Sequence, residues 1–493
     1  MAEARGATEP LWTAALAAAA ASGRSIGEWQ ATGVSIDSRS VAEGDLFIAL
    51  RGPSNDGHAF VADALARGAV AAMVDHVPDG VAIGAPLLLV TDTQIGLEAL
   101  GAAARARTAA KIVAVTGSAG KTGSKEMLRM ALGRQARTHA SEASYNNMWG
   151  VPLSLARMPR ATEFGVFEIG MNHAGEITPL TKQARPHAAI ITTIAPAHVG
   201  HFNSLREIAE AKSEIFLGLE PGGVAIINHD SAFFDLMSRR AKDAGVAQVL
   251  GFGMAADSAA RLIKAVHHAD CSCIYAEICG QPLTYKIGFS GAHWVMNSLA
   301  VLTAVKVLGG DLALAAIALA GMRPLAGRGR RHYLPIADGV FTLIDESYNA
   351  NPGSMQAALL NLSGQMTEGR GRKIAVLGDM AELGEGSADY HRELAQVIED
   401  GRIQQTFTAG AQMQVLHDAL PLNLRAVHAA DADALIAPLR DALRPGDVVV
   451  VKGSYSSGMG KIVKALLALE GADRQMSGAG LSPSKLEDGR DAV

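Results

Sequence analysis

The 493-residue chain is short of several things, and each shortage removes a class of protein. It has three cysteines, Cys271, Cys273 and Cys279. So small and odd a number leaves no disulfide framework and points to a reducing compartment, with the cytoplasm as the default. Their C-x-C-x5-C spacing lacks a fourth ligand at zinc-finger distance, although His267 and His268 lie just upstream, so a strand carrying small buried thiols is expected. Charge of one sign is also scarce: 44 Lys and Arg against 49 Asp and Glu give a net charge of -5 with no basic stripe. A nucleic-acid partner, which requires clustered cations against the phosphate backbone, is therefore not expected. No apolar run approaches the ~20 residues needed to span a bilayer, so no membrane insertion is expected. The nearest approach, LWTAALAAAAAS (11–22), is alanine-rich and follows Glu3, Arg5 and Glu9 instead of a cationic leader, so it reads as an ordinary helix and not as a signal peptide. Internal repeats and long low-complexity segments are missing as well.

One further absence is local. In VAVTGSAGKTGSKEML (113–128) the commonest phosphate loop would place a glycine where Val115 stands. What remains is the shorter Gly117-Ser118-Ala119-Gly120-Lys121-Thr122, preceded by a β-branched apolar run and followed by helix formers. A strand that breaks into glycines and then into a helix aims backbone N–H groups and a helix N-terminus at one spot, where an anion should sit.

The composition, 49% hydrophobic and 19% charged with 53 glycines, fits an α/β protein with many strand-to-helix turns. At roughly 100–200 residues per domain the length suggests three domains. Residues 1–108 read as a small α/β domain, with GDLFIAL (44–50) a strand and a helix after LLLVTDT (87–93). Residues 109–323 alternate apolar strands with helices, the signature of a mostly parallel sheet covered on both faces. Residues 324–470 look like a second doubly wound unit, and the polar tail 471–493 is expected to be disordered.

In such sheets ligands collect at the carboxyl ends of the strands. In the central block Lys121 and Thr122 follow the first strand, Glu168 ends FGVFE, and His198 ends IITTIAPAH. A lysine suits β and γ phosphates, while a threonine hydroxyl and a nearby carboxylate suit Mg²⁺, so the set reads as an ATP–Mg²⁺ site. Taken singly, Glu168 would be a surface carboxylate and His198 a turn residue; their joint placement carries the reading. Lys212, flanked by Glu210 and Glu214 in LREIAEAKSEIF, reads from spacing alone as part of a solvated helix face.

TGSAGKT, FEIGMNHAGEI, TTIAPAHVGHF, EAKSEIF, DESYNANPGSM, VLGDMAELG and VKGS, in that order, resemble the Mur ligases over nearly the whole chain. The resemblance implies three domains: an N-terminal one for the UDP part of a substrate, a central parallel-sheet P-loop ATPase and a C-terminal Rossmann-like domain. SYNANP, GDMAELG and GMNHAGEI look like the members that join D-alanyl-D-alanine to UDP-N-acetylmuramoyl-tripeptide at the expense of ATP, through an acyl phosphate. The implied site has Gly117 to Thr122 around the phosphates, Lys121 on the transferring group, Thr122 and Glu168 on one Mg²⁺, and His198 on a second. Lys212 matches a lysine that becomes a carbamate, which reverses its reading from spacing. Asn297, with His293 a turn earlier, matches a residue beside adenine, and Arg328 one that reaches nucleotide phosphate. Asp345, Glu346, Tyr348 and Asn349 match the ribose-facing and substrate-facing edge of the third domain. Ser38 and Arg39 match a uridine-binding segment, and Asn146 and Asn147 suit contacts to substrate and Mg²⁺. Tyr455 departs from the pattern, standing where an arginine is expected, and the tail has no counterpart. A monomer is expected.

Two alternatives stay open. One is a sister ligase, either another Mur-type amino acid ligase or a folylpolyglutamate-synthetase-like enzyme; SYNANP in place of a DYAHTP-like loop argues against the former. The other is a nucleotide-switched binding protein, which would release phosphate without needing both substrates.

Overall fold

The computed structural model describes residues 9–52, 55–142, 144–196, 199–268 and 270–476. The chain forms two compact units, one running to Ala195 and from His201 to Met322, the other made of Pro196–Gly200 and the chain from Arg323 onward.

The first unit holds two large sheets. The smaller has five strands in the spatial order Arg24–Ile26, Leu87–Leu89, Ala71–Val74, Asp45–Ile48, Gly33–Ser35. All its pairs are parallel except that of the edge strand Arg24–Ile26. The alanine-rich stretch near the N-terminus is a helix, Ala14–Ala20, capped by the Thr13 hydroxyl, as its composition suggests.

The larger sheet has nine strands, in the order Gln281–Ile287, Ser272–Ile278, Ala260–His267, Gln248–Gly253, Val224–Asn228, Ala188–Ile191, Lys111–Thr116, Phe164–Glu168, Thr138–Ala140. The strand Lys111–Thr116 lies between Phe164–Glu168 and Ala188–Ile191, parallel to both. The chain crosses over it between those two, so its carboxyl end is a topological switch point, where helices diverge and leave a crevice. Its apolar residues are fully buried, as a strand covered on both faces requires.

The sheet is mostly parallel, as expected, and ends at one edge in an antiparallel meander of Ala260–His267, Ser272–Ile278 and Gln281–Ile287. Two expectations need correction here. Ser272–Ile278 alternates buried with exposed residues along its length, which is the period of a half-solvated strand. Cys273 falls on the solvated face and Cys279 in the following turn, so only Cys271 of the three thiols is buried. Finally, the strand expected to run toward His198 stops at Ile191.

The core beneath the five-stranded sheet also takes in a helix that belongs with the larger sheet. The helix Thr93–Ala106 packs Leu97, Leu100 and Ala104 with Trp12 and with Leu153 and Ala156 of the helix Gly150–Ala156. A Cβ on Gly101 would stand 3.0 Å from the Pro152 carbonyl oxygen, so glycine is what lets these helices approach. Trp12 donates its indole N–H to Ala156 O at 2.9 Å, and Arg107 lies 4.3 Å over its ring.

The second unit is a six-stranded sheet, in the order Arg330–Ile336, Gly339–Glu346, Val448–Lys452, Lys373–Gly378, Gln405–Ala409, Arg425–Ala429. Only the first pair is antiparallel. Ile344, Ala375, Leu377 and Val450 enter one core and Leu343, Ile374, Val376 and Val449 the other, so successive residues feed opposite faces. The last helix, Gly460–Met476, runs past Gly471, where disorder was expected to begin; the rest of that tail, 477–493, lies outside the described residues.

Replacing Trp12 by alanine removes a 2%-exposed side chain from the core that the five-stranded sheet shares with the helix Gly150–Ala156. By the usual cost of such truncations it should destabilise the first unit by about 3–5 kcal/mol, read as an earlier urea-unfolding transition, while Trp12→Phe should lose much less.

Candidate active site

The loop that leaves Lys111–Thr116 at the switch point has two unusual glycines. Gly117 has φ 148° and Gly120 φ 82°, the latter in the left-handed region. A Cβ on Gly117 would lie 1.9 Å from Thr192 Oγ1, and one on Gly120 would lie 2.6 Å from Asn297 Nδ2. Conformation and space therefore both demand glycine. The helix Lys121–Gly133 starts on Gly120, which offers no side chain to cap it, and so presents its partial positive charge to the crevice. Lys121 folds back over the loop, its ammonium donating to Gly117 O at 2.7 Å.

Beside this loop three side chains meet. Thr122 donates its hydroxyl to Glu168 Oε2 at 2.8 Å, and Asn146 donates its amide to Glu168 Oε1 at 2.7 Å. Glu168, at the end of the neighbouring strand opposite Val115, is only 1% exposed. A buried carboxylate with both oxygens engaged is a fixed ligand. Oxygens bound to Mg²⁺ at about 2.0–2.1 Å in an octahedron lie about 3 Å apart along its edges, so the spacing of Thr122 Oγ1 and Glu168 Oε2 fits that ion.

Lys212 sits in the last turn of the helix Leu205–Ser213 and is 1% exposed, which overturns the solvated-face reading from spacing. Burial, and next the charge of Lys121, hold its amine well below the usual lysine pKa. A lysine in that state loses its proton nearer neutrality than an exposed one, which is what reaction with an electrophile requires. His198 lies outside the described residues.

Three family models cover successive parts of the chain: Mur ligase family, catalytic domain, on residues 30–86; Mur ligase middle domain on 115–305; and Mur ligase, glutamate ligase domain, on 329–455. The UDP-N-acetylmuramoyl-tripeptide--D-alanyl-D-alanine ligase of Rickettsia prowazekii is 32% identical over 430 residues, covering 87% of this chain and 94% of that protein. The enzyme of the same name from Escherichia coli is 34% identical over 442 residues, covering 88% and 93%. A crystal structure of MurF from Acinetobacter baumannii superposes with a TM-score of 0.81 at 30% identity, covering 93% of this chain and 99% of that one. The chain belongs to the Mur ligase family.

The remaining candidate residues of this Mur ligase fall into separate places. Asn297, on the helix Ala292–Val307, is buried with its amide against Gly120, so it borders the phosphate loop directly. Asn147 is used locally: its Oδ1 accepts the N–H groups of Trp149 and Gly150 at 3.2 and 3.0 Å, turning the chain into the next helix. Ser38 and Arg39 form a short 3-10 turn just past the strand Gly33–Ser35, with Ser38 buried and Arg39 exposed but paired with Asp37 at 2.6 Å.

In the second unit Asp345 and Glu346 end the strand Gly339–Glu346, and Tyr348 and Asn349 follow it. Asp345 accepts from Gly327 N at 2.7 Å and from the Ser347 hydroxyl at 2.6 Å, which ties the Arg328 turn to the strand end. The Arg328 guanidinium stacks 4.2 Å over the Tyr348 ring, and Tyr455, 79% exposed, stands 6.2 Å from that ring. Lys452 donates to Asn349 O at 2.8 Å and lies 3.6 Å from Glu346. Burial outweighs their attraction, raising the Glu346 pKa and lowering that of Lys452.

Sequence reasoning missed Lys125. It is fully buried on the helix after the loop and donates to Ser141 O at 2.8 Å, pinning the segment that carries Asn146. Its signal was present, since Lys121 and Lys125 are one helical turn apart. Among the described residues a second group of metal-type ligands, His58, Asp75 and His76, satisfies itself. His58 Nδ1–H donates to Asp56 Oδ1 at 2.6 Å, leaving Nε2 to accept the Asp75 N–H at 3.2 Å, and the Arg51 guanidinium 3.1 Å from Asp75 Oδ2 occupies the place of a cation.

The lowered pKa of Lys212 has a testable sign. Between that pKa and the ordinary lysine value the unfolded chain binds the extra proton, so burial of this lysine costs stability at neutral pH and the cost fades as pH rises. In buffer purged of CO₂, Lys212→Met should raise the thermal midpoint at pH 7, and the gain should shrink steadily toward pH 10.

Proposed function

We propose that this chain is an ATP-dependent amide ligase that joins D-alanyl-D-alanine to UDP-N-acetylmuramoyl-tripeptide, producing the UDP-linked pentapeptide for peptidoglycan. The observation that carries the reading is the meeting, at one switch point, of a glycine phosphate loop and a Thr122–Glu168–Asn146 site, with a buried Lys212 near enough to feel the charge of Lys121. The names of the relatives, matched over nearly their full length, supply the substrates.

The chemistry follows from the electrophile. A carboxylate resists attack by an amine until one oxygen becomes a good leaving group. A carboxylate oxygen of the tripeptide attacks the γ-phosphorus of ATP, the bond to the β-phosphate oxygen breaks, and ADP leaves. The amine of D-alanyl-D-alanine attacks the acyl carbon of the resulting acyl phosphate, loses a proton, and phosphate departs with its C–O electron pair.

The loop Gly117–Thr122 holds the phosphates, and Lys121 swings from Gly117 O to the transferring group, where fixed positive charge lowers the barrier. Thr122 and Glu168 would hold Mg²⁺, with Asn146 orienting the carboxylate, and His198 would hold a second ion. When bound, Mg²⁺ neutralises phosphate charge. Lys212 acts as a carbamate: its neutral amine forms an N–C bond to CO₂ and loses a proton, so a buried neutral amine becomes an anion. Asn297 borders the nucleotide. Ser38 and Arg39 serve the UDP end, and Arg328, Asp345, Glu346, Tyr348 and Asn349 form the edge the third domain brings to the substrates; Asn147 keeps only its exposed amide for such a contact. Residues 1–108, 109–323 and 324–470 are the corresponding domains.

No helix among the described residues is long and apolar enough to cross a membrane. Free UDP-linked and dipeptide substrates and reduced thiols accord with a cytoplasmic enzyme.

Phosphate release should require ATP, the UDP-tripeptide and D-alanyl-D-alanine together; release without the dipeptide would favour a nucleotide switch. Lys121→Ala should abolish release yet leave UDP-tripeptide binding intact. Glu168→Gln should lower kcat by about 100-fold and raise the Mg²⁺ concentration needed for half-activity. Lys212→Ala should be inactive and partly restored by a short-chain carboxylic acid with bicarbonate; full activity in the unrescued variant would exclude the carbamate.

A further inference from the structure

The segment Thr192–Ala195 enters the sequence reading only as the approach to His198, yet it makes specific contacts with the phosphate loop. Ser118 N donates to Thr193 O at 2.8 Å, and Ala195 N donates to Ser118 Oγ at 3.0 Å. The Thr192 hydroxyl, 1% exposed, lies 2.6 Å from Ala119 O and 3.2 Å from Thr116 O. The hydroxyl has one proton, and the shorter contact directs it to Ala119 O, while Thr116 O receives the Thr192 N–H at 3.0 Å. Asn228, at the end of the next strand, approaches Thr192 O with its amide at 3.4 Å.

We infer that Thr192 is a positioning residue for nucleotide binding, which sets the polarity of the loop from behind. With the Ser118 N–H spent on Thr193 O, the loop must offer a phosphate the N–H groups beyond it and turn the carbonyls beside them away, since a carbonyl oxygen facing a phosphate repels it. Nothing in the intrinsic preferences of Gly-Ser-Ala-Gly enforces that arrangement, because glycines permit either orientation of the adjoining peptides. The Thr192 hydroxyl does enforce it at one peptide: it holds the Ala119 carbonyl toward the end of its own strand, and the trans peptide then turns the Gly120 N–H the opposite way. The same hydroxyl fills the space where a Cβ on Gly117 would be, so the glycine and the threonine are two halves of one contact. Ser118 adds the second tie, its hydroxyl fastening the same segment to the loop.

The inference rests on the reading of Gly117–Thr122 as the nucleotide loop. Its test is ADP affinity with Mg²⁺, measured by calorimetry on the full chain, for the unmodified protein, Thr192→Val, Thr192→Ser and Lys121→Ala. Thr192→Val keeps the shape and removes the donor, and should weaken ADP binding about tenfold or more, the loss expected when a carbonyl is left without its partner. Thr192→Ser keeps the donor and should retain most of the affinity. Thermal midpoints of the two Thr192 variants should differ little, and UDP-tripeptide binding should be unchanged in both, which a general loosening of the fold would not produce. Unimpaired ADP binding by Thr192→Val, or equal impairment of Thr192→Ser, would overturn the inference while leaving the loop reading in place. Unimpaired binding by Lys121→Ala would instead overturn the loop reading, and the inference with it.

Discussion

The strand Lys111–Thr116 is hydrogen-bonded on both sides to strands that follow it in the chain, and most of the chemistry depends on that placement. Because the chain passes from one flank to the other, the carboxyl end of this strand is a switch point, and the loop that leaves it lies between the ends of two neighbouring strands. Glu168 arrives from one flank and Thr192 from the other. The first grips Thr122 and the second grips Ala119, so a flexible glycine loop is clamped between two neighbours that reach it only through the sheet.

The protein also buries cations where it could have buried leucine. Lys125, Lys212 and Lys452 are almost completely enclosed, a costly placement unless each finds a compensating group. Lys125 has the Ser141 carbonyl and a 2.9 Å contact with Glu126, and Lys452 has Asn349 O and Glu346. Lys212 differs, since the neighbour that moves its pKa is another lysine. Its environment opposes the ammonium form and so favours conversion into something else. A structural lysine is compensated, whereas this one is left poised to react.

Much of this was legible beforehand where one local rule sufficed. The strand-loop-helix around Gly117–Thr122 declared itself through glycines next to a β-branched run, and Glu168 through its place at a strand end. The antiparallel meander 260–287 was not legible, because short apolar runs do not reveal strand direction; only pairing does. Cys273 was misjudged for the same reason, since the face a strand residue occupies depends on which side of the sheet the rest of the chain covers. Lys212 looked solvated because its acidic neighbours in sequence suggested i, i+4 pairing, yet Glu214 turns away to accept the N–H groups of Gly175 and Thr178.

By itself the sequence determined the family, the class of chemistry and the loop, because these rest on residue types in fixed local order. The tertiary structure alone decided which groups act together. Asn146 and Asn147 are adjacent and alike, but one holds Glu168 and the other turns the backbone. Thr192 carries no motif signal of its own, and it acts on residues more than seventy positions earlier. Hydrogen bonds form between atoms a few ångströms apart, and chain order does not set that separation; the packing of the sheet does.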